Sequence, residues 1–464
     1  MKILLINPPP QEVAQKDIIV PPLGIAYIAA ILENEGFSVE ILDAYALQLT
    51  WNEFEEIIKR KRPNIVGITG MTPVIDRAFK AADICKKYTD YVILGGPHAS
   101  SQVESVLTQC SSIDFAVYGE GEFTFLELVR KLEEDNCNFE NINGLVYKDN
   151  GKIHITKPRE LIRDLDALPY PARHLLPNKM YKYPLAKHKR ITTMITSRGC
   201  PYSCIFCDKS VFGKKYRERS AVNVVDEMEE IVTKFKIRSI IIYDDLFTLN
   251  KKRVIEICKE IINRRLDIDW KCEGRVDLVD KEMLKWMKKA GCSLIAYGVE
   301  SGTQKCLDFL NKKTTVQQAR DAFMATKDVG IKTLAYIILG IPVETWEDAC
   351  KSIEFVKEID ADYVQFSILS PFPGTKLWDM AIEKGWYREL KGVQNPHDAD
   401  LKRPVTISEN WNEQKLQDII KLAHKEFYLR KKYIIKRLLS VRSLNELRYL
   451  FNEGKLLLSY LLHR

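Results

Sequence analysis

Long apolar runs are missing from this 464-residue sequence, which contains no stretch of 18 or more consecutive apolar residues. A helix that crosses a bilayer needs about 20 such residues, so we expect no membrane-spanning helix. The first apolar segment, 2–6, is also too short for a signal peptide, and no small-residue cleavage site follows it. Prolines at 8–10 end this segment, which we interpret as a buried β-strand.

A disulfide framework is not expected either, because the 11 cysteines are an odd number in a long chain without an export signal. This usage is typical of a reducing compartment and predicts a cytoplasmic protein whose cysteines are core residues or metal ligands. The net charge is only +7, and basic residues are frequent between 430 and 448. We interpret these basic residues as the solvated face of a helix, with contact to a membrane surface as the alternative. We expect no nucleic-acid partner.

Strands and helices alternate over the first 150 residues. The predicted strands are 2–6, 38–42, 65–69, 91–94 and 115–118, and the predicted helices are 23–34, 51–61, 74–87 and 122–132. This alternation predicts an α/β fold with a parallel sheet covered by helices. Small residues follow several of the strands, and open sheets of this kind bind ligands at the carboxyl ends of their strands. Residues 1–150 are therefore predicted to form a Rossmann-like, ligand-binding domain.

A second strand-helix series follows a proline-punctuated linker at 151–189. Its predicted strands are 191–196, 239–243, 269–273, 294–299, 333–339 and 363–369. Six successive units favour a partial (β/α)6 barrel over residues 190–385, although periodicity alone does not exclude an open sheet. Residues 386–464 are predicted to form a mostly helical C-terminal domain.

Three cysteines fall within eight residues in the segment Cys200-Pro-Tyr-Ser-Cys204-Ile-Phe206-Cys207. Thiolates favour zinc and iron-sulfur clusters. A structural zinc site normally has four ligands, and no second C-x2-C pair follows here. Three thiolates on a 4Fe-4S cluster would leave one iron open to a substrate. Buried cysteines that bind nothing, or a zinc site, remain alternatives to the cluster.

The C-x3-C-x2-C spacing, with an aromatic residue before its last cysteine, resembles the cluster motif of the radical S-adenosylmethionine (SAM) superfamily. Segments at later strand ends resemble that superfamily in the same order: Tyr243-Asp-Asp245, Trp270-Lys-Cys-Glu-Gly-Arg-Val-Asp277, Gly298-Val-Glu-Ser301 and Leu339-Gly-Ile-Pro-Val-Glu344. The resemblance implies that the three cysteines hold a 4Fe-4S cluster whose open iron binds SAM. It assigns SAM binding to Phe206, Asp244, Arg275, Glu300, Ser301 and Gly340.

The N-terminal half resembles the cobalamin-binding subgroup of this superfamily. The matching segments are 21–30, 67–69, 94–98 and 117–122, and the residues expected to contact cobalamin are Leu23, Gly24, Thr69, Thr72, Gly95, Gly96, His98, Gly119, Glu120, Gly121 and Glu122. Small residues there would let a flat corrin ring approach the backbone. The D-x-H-x-x-G motif of cobalamin mutases is missing, so we expect no histidine ligand to cobalt from this domain. For His98 we expect contact with the corrin edge or a helix cap.

The resemblance favours a cobalamin-dependent methyltransferase acting on an unactivated carbon or phosphinate phosphorus of a small molecule or lipid. The alternatives are an oxidative cyclase or rearrangement enzyme with the same cofactors and, more remotely, a non-catalytic cobalamin-responsive binding protein. A methyltransferase or cyclase of this type would need an electron donor such as a flavodoxin or ferredoxin. The other cysteines, for example Cys258 and Cys292, are expected in the core.

Overall fold

Strands and helices alternate along the chain from Lys2 onward in a computed structural model. The structure describes residues 1–11, 18–134, 138–391, 402–439, 451, 454, 455, 457 and 459. These residues divide into two units. The first contains 1–201, 208–272 and 289–291, and the second contains 202–207, 273–288 and the described residues from 292 onward. Among the described helices, none has both the length and the apolar character required to cross a membrane.

Among the described residues, twelve strands and eight α-helices begin in the first unit. The strands are β1 (Lys2–Asn7), β2 (Ser38–Asp43), β3 (Ile65–Thr69), β4 (Tyr91–Gly95), β5 (Phe115–Val117), β6 (Leu145–Asp149), β7 (Lys152–Ile155), β8 (Ile191–Met194), β9 (Ser197–Arg198), β10 (Arg217–Glu218), β11 (Ser239–Ile242) and β12 (Asp269–Gly274). The helices are α1 (Leu23–Asn34), α2 (Trp51–Lys61), α3 (Ile75–Cys85), α4 (Pro97–Ser101), α5 (Val106–Gln109), α6 (Glu122–Glu133), α7 (Ala221–Thr233) and α8 (Lys251–Asn263).

The N-terminal sheet has the described strand order β2-β1-β3-β4-β5-β6-β7. Its first five strands run parallel, whereas β6 and β7 extend it antiparallel. Successive residues of β1 point to opposite faces: Ile3 and Leu5 enter one core, and Leu4 and Ile6 enter the other. Helices therefore cover both faces, and the carboxyl ends of β1, β3, β4 and β5 share one open edge.

Three further parallel strands of the first unit are arranged in the order β8-β11-β12. The linker is anchored beside them by Arg173, which is buried. Its guanidinium donates to the Thr192 hydroxyl at 3.2 Å and to the Thr193 carbonyl at 2.7 Å, and it lies 2.6 Å from Glu227. A proline-rich connection is thus held in place by one long cationic side chain.

The second unit contains the remaining described elements. Its strands are β13 (Cys292–Glu300), β14 (Lys332–Leu339), β15 (Tyr363–Ile368), β16 (Tyr387–Lys391) and β17 (Lys402–Thr406). Its helices are α9 (Lys281–Lys289), α10 (Gln304–Phe309), α11 (Val316–Asp328), α12 (Trp346–Glu358), α13 (Lys376–Glu383), α14 (Glu413–Tyr428) and α15 (Lys431–Leu439). Strands β13, β14 and β15 pair in parallel, whereas β16 and β17 pair antiparallel.

The predicted α/β fold is confirmed, including six strand-helix repeats after the linker. Strand β3 and helices α1 and α2 have the predicted bounds, and the other predicted strands differ by up to two residues at their ends. The antiparallel pairs β6–β7 and β16–β17 were not predicted. Part of the segment 386–464, which we predicted to be mostly helical, lies outside the described residues, including the apolar positions Leu447 and Leu450.

Candidate functional site

The loop that begins at Gly199 starts with a backbone conformation that only glycine adopts readily. Gly199 has a φ of +83°, and a Cβ there would lie 2.4 Å from the carbonyl oxygen of Lys215, so no other residue fits without movement. The Cys200 amide donates to the Gly213 carbonyl at 3.4 Å, and Lys209 Nζ donates to the Cys200 carbonyl at 2.8 Å. Both bonds involve only the backbone of Cys200, so they fix its position in the loop without engaging its thiol.

The segment 202–207 is anchored within the second unit. The Ile205 amide donates to the Leu310 carbonyl at 3.1 Å, and its carbonyl accepts from the Leu377 amide at 2.9 Å. Ile205 is buried in an apolar cluster against which Phe206 also packs. The buried Ile205 thus fixes the short segment between Cys204 and Cys207.

The cysteines of this motif differ from the others in accessibility. Cys207 is exposed and Cys200 and Cys204 are half-buried, whereas six of the seven other described cysteines are buried and Cys350 is half-buried. Thiols that are at least partly exposed on a loop suit metal binding better than core packing does. Among the described residues, no three His, Cys, Asp or Glu side chains converge where one metal ion could bind. A cluster has no such requirement, because each of its thiolates binds a different iron atom.

Two adjacent carboxylates hold the strand that leads into this loop. Asp244 accepts from the Thr196 amide, the Thr196 hydroxyl and the Ser197 hydroxyl, each at 2.6 Å. Asp245 accepts from the Gly199 amide at 3.0 Å, and burial raises its pKa. Both carboxylates therefore orient backbone next to Cys200, and the assignment of Asp244 to SAM stays a prediction.

Two of the predicted SAM residues meet in the second unit through a lysine that the sequence interpretation missed. Lys312 Nζ donates to the Glu300 carboxylate at 2.6 Å, and the Lys312 carbonyl accepts from Arg275 at 3.0 Å. The ring of Tyr202 lies under the Arg275 guanidinium, 3.6 Å from ring centroid to carbon. Lys312 lies in a basic, polar segment whose composition is typical of an exposed loop, so the sequence did not indicate that this lysine is part of the site.

The backbone at Glu300 is strained, as functional positions often are. Glu300 has a φ of +66° at an irregularity in the β13–β14 pairing. A Cβ on Gly298 would lie 2.5 Å from the Glu300 carboxylate and 2.6 Å from Lys312 Nζ. Glycine at 298 therefore makes room for the Glu300–Lys312 ion pair beside the strand.

The other predicted SAM residues of this unit lie at strand ends and are held by neighbouring polar groups. The Ser301 hydroxyl is 3.0 Å from that of Ser352. Gly340 follows β14 with a φ of +76°, and its amide donates to the Glu344 carboxylate at 2.8 Å. Burial raises the pKa of Glu344 to about 8, despite hydrogen bonds from the amides of Gly340 and Ile341.

The residues predicted to contact cobalamin all lie at the carboxyl edge of the N-terminal sheet or on the helices that begin there. Their glycines form two groups. A Cβ placed on Gly24 or Gly119 would have no atom within 4 Å, and one placed on Gly95 would have its nearest atom 4.0 Å away. Gly96 and Gly121 instead have neighbours at 2.9 and 3.0 Å. The first group leaves room for a ligand to approach the backbone, whereas a side chain at Gly96 or Gly121 would collide with neighbouring atoms.

Polar side chains at the same edge are largely engaged. His98 is buried and hydrogen-bonded at both ring nitrogens, to Thr72 at 3.2 Å and Gln109 at 2.8 Å, and burial lowers its pKa. Glu120 and Glu122 are buried in ion pairs with Arg198 and Arg217. Leu23 is buried at the start of α1.

Comparison with known proteins identifies the family. Residues 194–356 match the model of the radical SAM superfamily, and residues 14–129 match that of the B12 binding domain. An uncharacterized methyltransferase of Pyrococcus horikoshii is 38% identical over 441 residues, which cover 94% of each chain. The chain belongs to the cobalamin-binding radical SAM family.

A further relative and a solved structure are also similar to this radical SAM protein. The anaerobic magnesium-protoporphyrin IX monomethyl ester cyclase of Rubrivivax gelatinosus is 33% identical over 376 residues, covering 78% of this chain and 67% of the cyclase. The radical SAM methyltransferase TsrM from Kitasatospora setae, solved with cobalamin and a [4Fe-4S] cluster, has the same fold, with a TM-score of 0.73. It is 19% identical, and the match covers 92% of this chain and 88% of TsrM.

Membership confirms the predicted family and the three predicted cofactors: a 4Fe-4S cluster, SAM and cobalamin. The donor set fits the first of these, because three cysteines that are at least partly exposed fall within eight residues. The absence of close neighbours at Gly24, Gly95 and Gly119 leaves room for a ring to approach the backbone. The chain is therefore an enzyme, and the hypothesis of a non-catalytic binding protein is set aside.

Proposed function

We propose that this radical SAM enzyme transfers a methyl group from SAM to an unactivated carbon, or to a phosphinate phosphorus, of a small molecule or lipid. The supporting relative is the Pyrococcus horikoshii methyltransferase, which matches almost the whole chain. The observation that carries the proposal is that Cys200, Cys204 and Cys207 are at least partly exposed, whereas six of the seven other described cysteines are buried. These three side chains would hold the cluster.

The cofactors supply the difficult chemistry when bound, namely reductive cleavage of SAM and carriage of the methyl group. The protein's own residues bind and orient. We assign the polar groups of SAM to Arg275, Glu300 and Lys312, because hydrogen bonds already hold all three side chains in place. Lys312 Nζ donates to Glu300, and Arg275 donates to the Lys312 carbonyl and to the Asp277 carboxylate. Such preorganised groups need little rearrangement when a charged ligand arrives.

Further residues complete both proposed cofactor sites. For SAM they are Phe206, Asp244, Ser301 and Gly340; for cobalamin they are Leu23, Gly24, Thr69, Thr72, Gly95, Gly96, His98, Gly119 and Gly121. Glu120 and Glu122 belong to the same segment, but their carboxylates form buried ion pairs with Arg198 and Arg217. The glycines with open space above them are the strongest candidates for direct contact with a ring.

The test is anaerobic turnover of the reconstituted enzyme with SAM carrying a labelled methyl group. We expect label in the product, together with S-adenosylhomocysteine and 5′-deoxyadenosine. Cys200→Ala should abolish formation of 5′-deoxyadenosine, whereas Cys350→Ala, a half-buried thiol on α12, should not. Methyl transfer is wrong if 5′-deoxyadenosine forms with product that never contains label.

Oxidative cyclisation or rearrangement is the second candidate, because the Rubrivivax gelatinosus cyclase is 33% identical over 78% of this chain. A cyclase would form 5′-deoxyadenosine without net accumulation of S-adenosylhomocysteine. The ratio of these two products in the same assay separates the candidates.

The proposed partners are a flavodoxin or ferredoxin as electron donor and, for a lipid substrate, an anionic membrane surface. Helix α15 exposes Ile435, Leu438 and Leu439 beside basic residues, which is the pattern of an interfacial helix. Flotation with phosphatidylglycerol liposomes tests the membrane contact. We expect lower recovery of Leu438→Glu than of the unmodified protein, and no recovery of the unmodified protein with the liposomes would remove the proposed contact.

A further inference from the structure

We propose that Glu120 is a positioning residue that fixes the loop carrying Cys200, and that its side chain is not a contact of cobalamin. This inference rests on the proposed assignment of the cluster to that loop. The Glu120 carboxylate lies between two guanidinium groups. Arg198 Nη1 donates to its Oε1 at 2.9 Å, and Arg217 Nη1 donates to both oxygens, at 2.9 and 2.7 Å.

The two arginines stand at the ends of the segment that contains the cluster motif. Arg198 on β9 and Arg217 on β10 face each other in a two-stranded antiparallel ladder. Residues 199–216 run between them, and Cys200 comes two positions after Arg198. A carboxylate that binds both arginines therefore ties together both ends of this segment.

The four charges of this group compensate each other inside the protein. Glu122 accepts from Arg198 Nη2 at 2.6 Å, which gives two carboxylates and two guanidiniums. The side chains of Arg198, Arg217 and Glu120 are at most 3% exposed, and that of Glu122 is 8% exposed. A buried ion is stable only when its charge and its hydrogen bonds are satisfied, so each member depends on the others.

Glu120 has no side-chain oxygen directed to a ligand edge. Its Oε2 also accepts from the Ile162 amide at 2.7 Å, while Arg217 donates to the Ile162 and Phe212 carbonyls at 2.7 and 3.0 Å. The neighbouring Gly119, in contrast, has open space above it. The segment 119–122 thus presents backbone to the cobalamin side and the Glu120 carboxylate to the cluster loop.

The test uses the full chain, reconstituted anaerobically with iron and sulfide, in Glu120→Gln and a control. Asp114→Asn is matched, because Asp114 also pairs with a cation, Lys86, and accepts a backbone amide, that of Val92. Release of iron to a bathophenanthroline chelator should be about tenfold faster in Glu120→Gln, the ratio expected for losing one charge-assisted hydrogen bond. The SAM-induced change in the electron paramagnetic resonance spectrum of the reduced cluster should also be altered. Asp114→Asn should match the unmodified protein in both measurements.

The double variant Glu120→Gln/Arg217→Gln removes one charge of each sign and keeps the test decisive if the single variant fails to fold. Fast iron release in the folded double variant supports positioning, since the tie between the loop ends is still missing. Unchanged iron release and spectra in a folded Glu120 variant overturn the proposal, as does a loss confined to cobalamin affinity. Failure of the cluster assignment would appear separately, as a Cys200→Ala protein that retains an unaltered cluster.

Discussion

At the scale of single residues, the close surroundings of Gly199 and Glu344 determine what each position tolerates. Gly199 has no room for a side chain, and Glu344 is a buried carboxyl whose Oε1 has no hydrogen-bond partner among the described residues. Each therefore yields a prediction from local physics alone. Neither depends on which substrate the enzyme uses.

Gly199→Ala should destabilise the loop before the cluster motif. Alanine at a φ of +83° costs about 1 kcal/mol, and the contact at 2.4 Å to Lys215 adds to it. Gly36→Ala is the matched control, with the same φ and no atom within 4 Å. Thermal unfolding and iron content after reconstitution should both fall more for Gly199→Ala. Equal effects at the two glycines would contradict the predicted clash.

Glu344→Gln should change how stability depends on pH. The Glu344 carboxyl has a pKa of about 8 when folded, against 4.5 in an unperturbed chain, so the folded state binds more protons between these values. Its contribution to stability is full below pH 4.5 and is lost as the pH rises towards 8. From pH 6 to 8.5 the unmodified protein should lose about 2 kcal/mol relative to Glu344→Gln. Chemical unfolding at both pH values measures this, with the exposed Glu347→Gln as control; a constant difference would refute the assignment.

At the scale of elements, periodicity predicted most strands and helices, because each pattern is local. The contacts that complete the site are not local. Glu120 and Arg198 are 78 positions apart, and their pairing follows from the fold rather than from any nearby pattern. The same reason explains why Lys312 was missed, although its partners Arg275 and Glu300 were predicted.

The linker illustrates an element held by one side chain. Arg173→Leu should destabilise the first unit by about 3–5 kcal/mol, because Glu227 loses one of its two buried arginine partners. Arg163→Leu, on the same linker, removes an exposed pair with Glu160 and should change stability by less than about 1 kcal/mol. Chemical denaturation of both variants tests the difference. Similar values for the two would show that the Arg173 contacts do not hold the linker.

At the scale of the whole molecule, the two resident cofactors are assigned to different segments and should be separable. Gly95→Val adds a side chain at the carboxyl end of β4, where a Cβ would have its nearest atom 4.0 Å away, so it should lower cobalamin affinity by more than tenfold while iron content stays normal. Cys200→Ala should do the reverse. Absorbance titration with hydroxocobalamin and iron analysis measure both. Loss of both cofactors in Gly95→Val, with the fold intact, would contradict the separation.

The accessibility of Cys200, Cys204 and Cys207 has a practical consequence for handling the purified protein. A thiol that can reach iron can also reach dioxygen, peroxide or an alkylating reagent, whereas a buried thiol is shielded. Iodoacetamide should therefore modify the metal-free enzyme first at these three side chains and leave Cys258 and Cys292 untouched. Exposure to air before reconstitution should oxidise these thiols and lower the amount of iron that the protein takes up.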